Sequence, residues 1–412
     1  MTINYLQFKK FSLPLLGILL VHLLAIPQAS AESWTDNIFS WYKEGLTAHQ
    51  EFVDAIQYLK SHGIISDSVD LRKKILDLEI GSHYKINESG DELFIVDPSK
   101  IRGGGPPKDG IPSIDNPKFA KPSEVDFLSD NSMVIGLKVN GDARAYPLSI
   151  LVWHEIVNDN VGEMPVAVTY CPLCFTNQVF ERTVNGQTVE FGTSGKLYNS
   201  NLVMYDRMTD SYWSQALGTA IKGELTGTVL KKVPFDVMRW ADWKNQEPDT
   251  IVLTRDTGFL RSYSTDPYGS YYTEPRIMFP VENKDDRLPL KDLVVGFNHL
   301  GNYVAYPQQA VESKKVINDM VGGKNILVTS LHQDNVRIFD RNVAGKSLEF
   351  EYTDGRIIDK STESEWSYEG EALSGPMKGI TLKRLPIEPG FWFNWVAFHP
   401  NTAVYGLEKE AT

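Results

Sequence analysis

The sequence predicts an α+β, mainly β fold: two tandem pseudo-repeats of about 125 residues packed together, preceded by a small helical segment. Three observations predict it. Short motifs recur in one order along the chain. The stretches between them alternate like strands. Helical periodicity is concentrated before Leu78.

The recurrence decides the organisation. Ala145-Tyr146-Pro147 returns as Ala305-Tyr306-Pro307, and Ile156-Val157-Asn158-Asp159 as Val316-Ile317-Asn318-Asp319. Phe180-Glu181-Arg182 returns as Phe339-Asp340-Arg341, Thr209-Asp210-Ser211 as Thr362-Glu363-Ser364, and Trp240 and Trp243 as Trp392 and Trp395. One order kept through so many anchors reads as a duplication.

Within the first copy, Met133 to Lys138 alternates, Asn140-Gly141 turns, and Ala143 to Tyr146 continues, the pattern of a hairpin. Val166 to Tyr170 and Gln178 to Val184 read as compact strands, and Leu148 to Val157 as one short helix. The expected divisions are a signal over 1–31, a helical appendage over 32–100, a linker over 101–117, repeat 1 over 118–250, a connector over 251–278 and repeat 2 over 279–412.

Lys9 and Lys10, an apolar run from Phe11 to Ile26 and the small residues Ala29-Ser30-Ala31 form the pattern of a cleaved secretory signal. The run is shorter than the ~20 residues a membrane span needs. The mature chain is therefore expected to be secreted or periplasmic, without membrane insertion after cleavage. In the appendage, Phe39, Tyr42, Leu46, Phe52, Val53, Ile56 and Leu59 recur at helical spacing. The run Gly103-Gly104-Gly105-Pro106-Pro107 reads as linker, a composition unsuited to helix or ladder. The formal net charge of −12 argues against nucleic acid as a partner, since binding it demands a basic face.

A duplicated chain allows its copies to be compared. Residues kept in both read as framework; residues found in one point to function. His154 and Glu155 become Lys314 and Lys315, and Cys171-Pro172-Leu173-Cys174 becomes Leu331-His332-Gln333-Asp334. The first copy also carries extra residues around Ser194-Gly195-Lys196-Leu197-Tyr198-Asn199-Ser200-Asn201. A histidine, a carboxylate, two thiols and a loop thus differ together, as a single site on a symmetric scaffold would.

Cys171 and Cys174 are the only cysteines, and three readings compete. The leading one is a metal site. Two thiolates at i and i+3 clamp one ion, His154 supplies a third ligand, and Glu155 orients or transfers protons. Soft thiolates with imidazole suit copper or zinc, and iron is compatible. Lys196 and Tyr198 on the extra loop are further candidate catalytic residues, with the loop over Lys196 to Asn201 covering the site. The alternative is a metal-free thiol/disulfide oxidoreductase in which Cys171 attacks and Cys174 resolves. The third is a non-enzymatic binding module with a Cys171–Cys174 disulfide, a weak staple for so short a loop.

The motifs Asp109-Gly110-Ile111-Pro112, Ala145-Tyr146-Pro147, His154-Glu155-Ile156-Val157-Asn158-Asp159, Thr169-Tyr170-Cys171-Pro172-Leu173-Cys174 and Asp206-Arg207-Met208-Thr209-Asp210-Ser211 resemble the family catalogued as domain of unknown function 3179. Its members are typically exported, and their activity is unassigned. The resemblance therefore supports the site residues without naming a reaction or a partner, leaving a small molecule or a redox partner open. Phe175 and Thr176 depart from it, standing where smaller residues such as Gly or Asn and Ser are expected. The appendage resembles a short module of exported archaeal proteins, which implies a spacer or attachment role.

Overall fold

The computed structural model describes residues 31–44, 49–80, 83–330 and 335–407, in two compact units. The expected signal thus falls almost entirely outside the described residues, as does the stretch 331–334 that replaces the cysteine motif in the second half. Among the described residues no helix is long and apolar enough to cross a membrane.

The first unit runs from Met1 to Ser68 with Asn185–Gln187. Its helices Ala31–Lys43 and His49–Ser61 join through the periodic aromatics read from the sequence. Phe52 stacks on Tyr42 at 4.4 Å between ring centroids and meets Phe39 edge-on at 5.2 Å. Burial of Ile38, Phe39, Tyr42, Phe52, Ile56 and Leu59 completes this small core.

The second unit holds the rest and is built mainly of strands. It reaches further towards the N-terminus than the expected domain boundary. The helix Val69–Glu79 belongs to it, held by Arg72, whose guanidinium donates to the Glu224 and Thr226 carbonyls at 2.7 and 2.9 Å. The hairpin Asn87–Ser89 with Glu92–Phe94 extends its largest sheet, Phe94 pairing with Lys222. The glycine-rich run is without helix or strand after its first residue, Gly103. Arg102–Gly103 forms a ladder with Leu197 and Lys196 at the edge of the same seven-stranded sheet. Edge pairing leaves one side of such a strand unsatisfied, which glycine and proline tolerate.

Two successions of elements in this unit correspond. In the site-bearing half, Met133–Val139 pairs antiparallel with Asp142–Pro147, which is followed by the helix Leu148–His154 and the strands Ile156–Val161, Met164–Cys171 and Thr176–Glu181. In the other half, Leu293–His299 pairs with Asn302–Pro307, followed by the helix Gln308–Lys314 and the strands Val316–Val321, Lys324–Thr329 and Arg337–Asp340. Each first hairpin also takes one parallel neighbour, Ile251–Leu253 and Ala403–Val404 respectively.

The recurring motifs are the joints of this framework. Tyr146 donates to Asp159 at 2.6 Å, and Tyr306 to Asp319 at 2.8 Å. Trp213 donates to Asp206 at 2.8 Å, and Trp366 to Asp359 at 3.0 Å. Trp243 lies so close to Gly136 that a Cβ there would sit 2.3 Å from its ring, and Trp395 meets Gly296 in the same way at 2.0 Å. Only glycine lets either tryptophan seat against its strand.

Between the halves the ion pairs are reciprocal. Lys232 reaches Glu388 at 2.5 Å, while Arg384 and Arg337 reach Asp236 at 2.6 and 2.8 Å. The first half thus supplies a cation to one buried carboxylate and an acid to the other half's cations. Contacts exchanged in this way are those of a self-complementary interface, here within one chain.

Candidate dithiol site

The site begins where the helix Leu148–His154 stops. The sequence reading ran this helix to Val157; it ends earlier because Glu155 takes a left-handed conformation (φ 58°), its N–H returning to the Leu151 carbonyl at 2.7 Å. Its carbonyl then accepts from the Tyr170 N–H at 2.8 Å, and its carboxyl, once ionised, raises the Cys171 and Tyr268 pKa values.

The strands Met164–Cys171 and Thr176–Glu181 are joined by a tight turn in which the Cys174 N–H donates to the Cys171 carbonyl at 3.3 Å. Phe175 closes it at φ 55°, a left-handed position that costs a side-chain-bearing residue about 1–2 kcal/mol. This explains the smaller residue expected there: glycine or asparagine enters that region more easily.

Both cysteines are free thiols and fully buried, with Cys171 1 % and Cys174 0 % exposed. Their surroundings differ. Cys174 Sγ lies 3.0 Å from Asn201 Nδ2 and 3.1 Å from Thr176 Oγ1. Asn201 Nδ2 and Thr176 Oγ1 also reach Gln215 Oε1 at 3.0 and 2.8 Å, and Asn201 Oδ1 is fixed by the Ala216 N–H at 3.0 Å.

This network has two consistent proton arrangements. With a Cys174 thiol, its S–H donates to Thr176, whose hydroxyl donates to Gln215. With a thiolate, the Thr176 hydroxyl turns to donate to sulfur together with Asn201. Burial alone would raise the Cys174 pKa, but hydrogen bonds from the Cys171 thiol, Thr176 and Asn201 hold it below the usual thiol range. Cys171 goes the other way, pushed up by burial, by its hydrogen bond to Cys174 and, once Glu155 ionises, by that charge.

The connector forms the cover. Tyr271 donates to the Leu173 carbonyl at 2.8 Å, and Tyr268 and Tyr272 pack on the same apolar cluster as the thiols. Lys291 caps Tyr271, its Nζ 3.4 Å from the ring centroid. The other half seals the remaining side, the Phe391 N–H donating to the Cys174 carbonyl at 2.9 Å. At the preceding Gly390 a Cβ would come within 2.6 Å of Thr176.

The structure thus gathers Cys171, Cys174 and Glu155, but not the other expected members. His154 is buried with both ring nitrogens taken, Nδ1 at 2.7 Å from the Pro112 carbonyl and Nε2 at 2.7 Å from the Tyr263 hydroxyl. It is a framework residue, not a third ligand beside the thiols. Tyr198 donates to Glu282 at 2.7 Å, and Lys196 stands in register with Gly103 and Val203. The extra segment is not a cover but a hairpin between the strands Phe191–Tyr198 and Asn201–Asp206, turning at Asn199 and Ser200 with φ 51° and 63°. Its contribution to the thiols is Asn201. Gln215, Tyr268, Tyr271 and Phe391 escaped the sequence reading, and the only signal for the two tyrosines was the tyrosine-rich composition of the connector. For copper, zinc or iron the ligands on offer are the two thiols; among the described residues no group of three or more His, Cys, Asp and Glu side chains is placed to hold an ion.

Burial raises the Glu155 pKa to about 8, so the acid is neutral at neutral pH. A folded pKa above the unfolded one gives stability that is complete below the unfolded value and is lost as pH rises towards 8. Glu155→Gln, which stays neutral, is expected to remove this decline. Urea denaturation at about pH 5 and about pH 9 should show the wild type losing a few kcal/mol more than the variant. Equal losses would show that Glu155 is ionised throughout.

Residues 108–402 match the model of the family described as "Protein of unknown function (DUF3179)". That span covers more than half of the chain, which therefore belongs to this family. No curated protein matches, and no solved structure does.

Proposed function

We propose that this member of a family without an assigned activity is an extracytoplasmic thiol/disulfide oxidoreductase whose redox centre is Cys171 and Cys174. The observation that carries the proposal is the opposite bias of two adjacent thiols, with Cys174 held towards thiolate by Asn201 and Thr176 and Cys171 held protonated. Thiol–disulfide exchange needs such a pair, one sulfur to attack and one to resolve. The bias reverses the order expected from the chain, making Cys174 the nucleophile.

The substrate class is a low-molecular-weight disulfide, because both sulfurs are buried beyond the reach of a protein partner. The Cys174 thiolate attacks one sulfur of R–S–S–R, forming a mixed disulfide and releasing R–S⁻, which takes up a proton. Cys171 then loses its proton to Glu155 in its ionised form, the minor one below about pH 8, and attacks Cys174 Sγ. This forms the Cys171–Cys174 disulfide and releases the second R–S⁻, protonated in turn by Glu155. The substrate gains two electrons from the two sulfurs and two protons, one from Cys171 by way of Glu155 and one from solvent. A Glu155 pKa of about 8 suits a group that alternately takes and returns a proton near neutral pH.

Mixing the reduced protein with excess chromogenic aromatic disulfide tests the reading. The expected result is release of two thiols per chain. One thiol, none, or one tightly bound copper or zinc ion per chain in place of exchange would overturn it.

A further inference from the structure

The two halves share a matched turn that is covered in the first and open in the second. Gly218, Gly223 and Gly227 correspond to Gly370, Gly375 and Gly379, all at positive φ. The hydrogen bonds repeat as well. The Ala220 N–H donates to the Thr228 carbonyl at 2.9 Å, and Ala372 to Ile380 at 2.8 Å. In the first half the turn lies under residues 69–95 of the chain. The Ile95 N–H donates to the Ile221 carbonyl at 2.9 Å, the Gly223 N–H donates to the Leu93 carbonyl at 3.0 Å, and Arg72 takes the Glu224 and Thr226 carbonyls. Ile86 presses so closely on Gly227 that a Cβ there would clash with it. The matched groups of the second half are the Leu373 carbonyl, the Gly375 N–H and the Pro376 and Lys378 carbonyls. Among the described residues none of them has a hydrogen-bond partner, and a Cβ at Gly379 would meet nothing within 4 Å. Ile221 is 0 % and Thr228 9 % exposed, whereas their counterparts Leu373 and Ile380 are 48 % and 41 % exposed.

We infer that this face of the second half is a docking site for a partner polypeptide, which lays an extended apolar segment with basic residues beside it on the open turn. An unpaired backbone edge next to apolar side chains takes up a strand through its N–H and C=O groups and seats alternate side chains on the patch. Two observations ask for the basic residues. The Pro376 and Lys378 carbonyls match the pair that Arg72 takes in the first half. The border is also acidic, the stretch 363–382 holding Glu363, Glu365, Glu369 and Glu371 against one base, Lys378. Two of these acids adjoin the patch, the Leu373 N–H donating to the Glu365 carbonyl at 2.7 Å and Glu371 bridging to Thr381. The same border disfavours a second copy of this chain, because a two-fold contact would set these acids against one another.

The test uses the full-length protein and a fluorescein-labelled synthetic peptide, Leu-Phe-Ile-Val bracketed by two lysines at each end. Its core is the sequence of residues 93–96, taken from the segment that covers the first half. Polarisation titration is expected to show one site per chain, at least about tenfold tighter than for the same core bracketed by glutamates. Leu373→Ser combined with Ile380→Ser changes two exposed side chains, leaves the melting temperature in place and should weaken the lysine peptide at least about tenfold. Sedimentation of the protein alone should give the same mass for wild type and this double variant. Equal affinity for the two peptides, no saturable binding, undiminished binding to the double variant, or a dimer that the double variant dissociates would overturn the assignment.

Discussion

Asp236→Ala is expected to destabilise the larger unit by about 3–5 kcal/mol, the cost of leaving a buried charge without its partner. Asp236 is buried in the strand Asp236–Arg239 and receives Arg337 at 2.8 Å and Arg384 at 2.6 Å, both from the other half. Arg337 is itself buried, 2 % exposed along its side chain, and leans on the Tyr368 ring at 4.2 Å. Removing the carboxylate strands this guanidinium where water cannot reach it.

The pH dependence follows. Burial opposes ionisation of Asp236, but the Arg337 and Arg384 guanidiniums outweigh it and hold the carboxyl well below the usual range. A depressed folded pKa gives stability that is present above the unfolded value and is lost as pH falls towards the folded one. The difference between wild type and Asp236→Ala should therefore be complete at neutral pH and shrink below about pH 4. Denaturant titration with an unchanged slope would register it as a true stability change. A loss below 1 kcal/mol at neutral pH would mean that the halves are not held together by this pair.

The two cysteine variants should differ from each other by a large factor. Cys171→Ser keeps Asn201, Thr176 and a hydroxyl donor around Cys174, so its remaining thiol should ionise below the usual range. Cys174→Ser leaves Cys171 in the position that burial and Glu155 disfavour for a thiolate. With the two pKa values displaced in opposite directions, the thiolate population at neutral pH is larger on Cys174, and alkylation by a small neutral reagent should follow it. Both sulfurs sit under the same tyrosine cover, so access is shared and ionisation decides the ratio. Equal alkylation rates would refute the assignment of Cys174 as nucleophile.

Much of the framework was legible in the sequence because it rests on local chemistry. Asn140-Gly141 makes a hairpin with φ 49° and 85°, and the Ala-Tyr-Pro, Asn-Asp and tryptophan anchors are joints in both halves. Comparing the halves singled out Cys171, Cys174 and Glu155, which the structure brings near one another. His154 disappears from the second half for another reason. Its partners, the Pro112 carbonyl and the Tyr263 hydroxyl, lie 42 and 109 residues away along the chain, too far for spacing to reveal. Gln215 and Phe391 escaped for the same reason, as contacts made only once the sheets pack. The short ladder of Arg102 and Gly103 was not legible because its partners, Leu197 and Lys196, lie in the extra hairpin.

The most direct measurement is the equilibrium of the protein with graded ratios of reduced and oxidised small dithiol, quenched with acid and assayed by alkylation and mass. The account predicts one two-electron transition in which Cys171 and Cys174 lose reactivity together, displaced by Asn201→Ala towards easier oxidation as Cys174 loses a donor that favours its thiolate. Two cysteines that stay alkylatable at every ratio would contradict it.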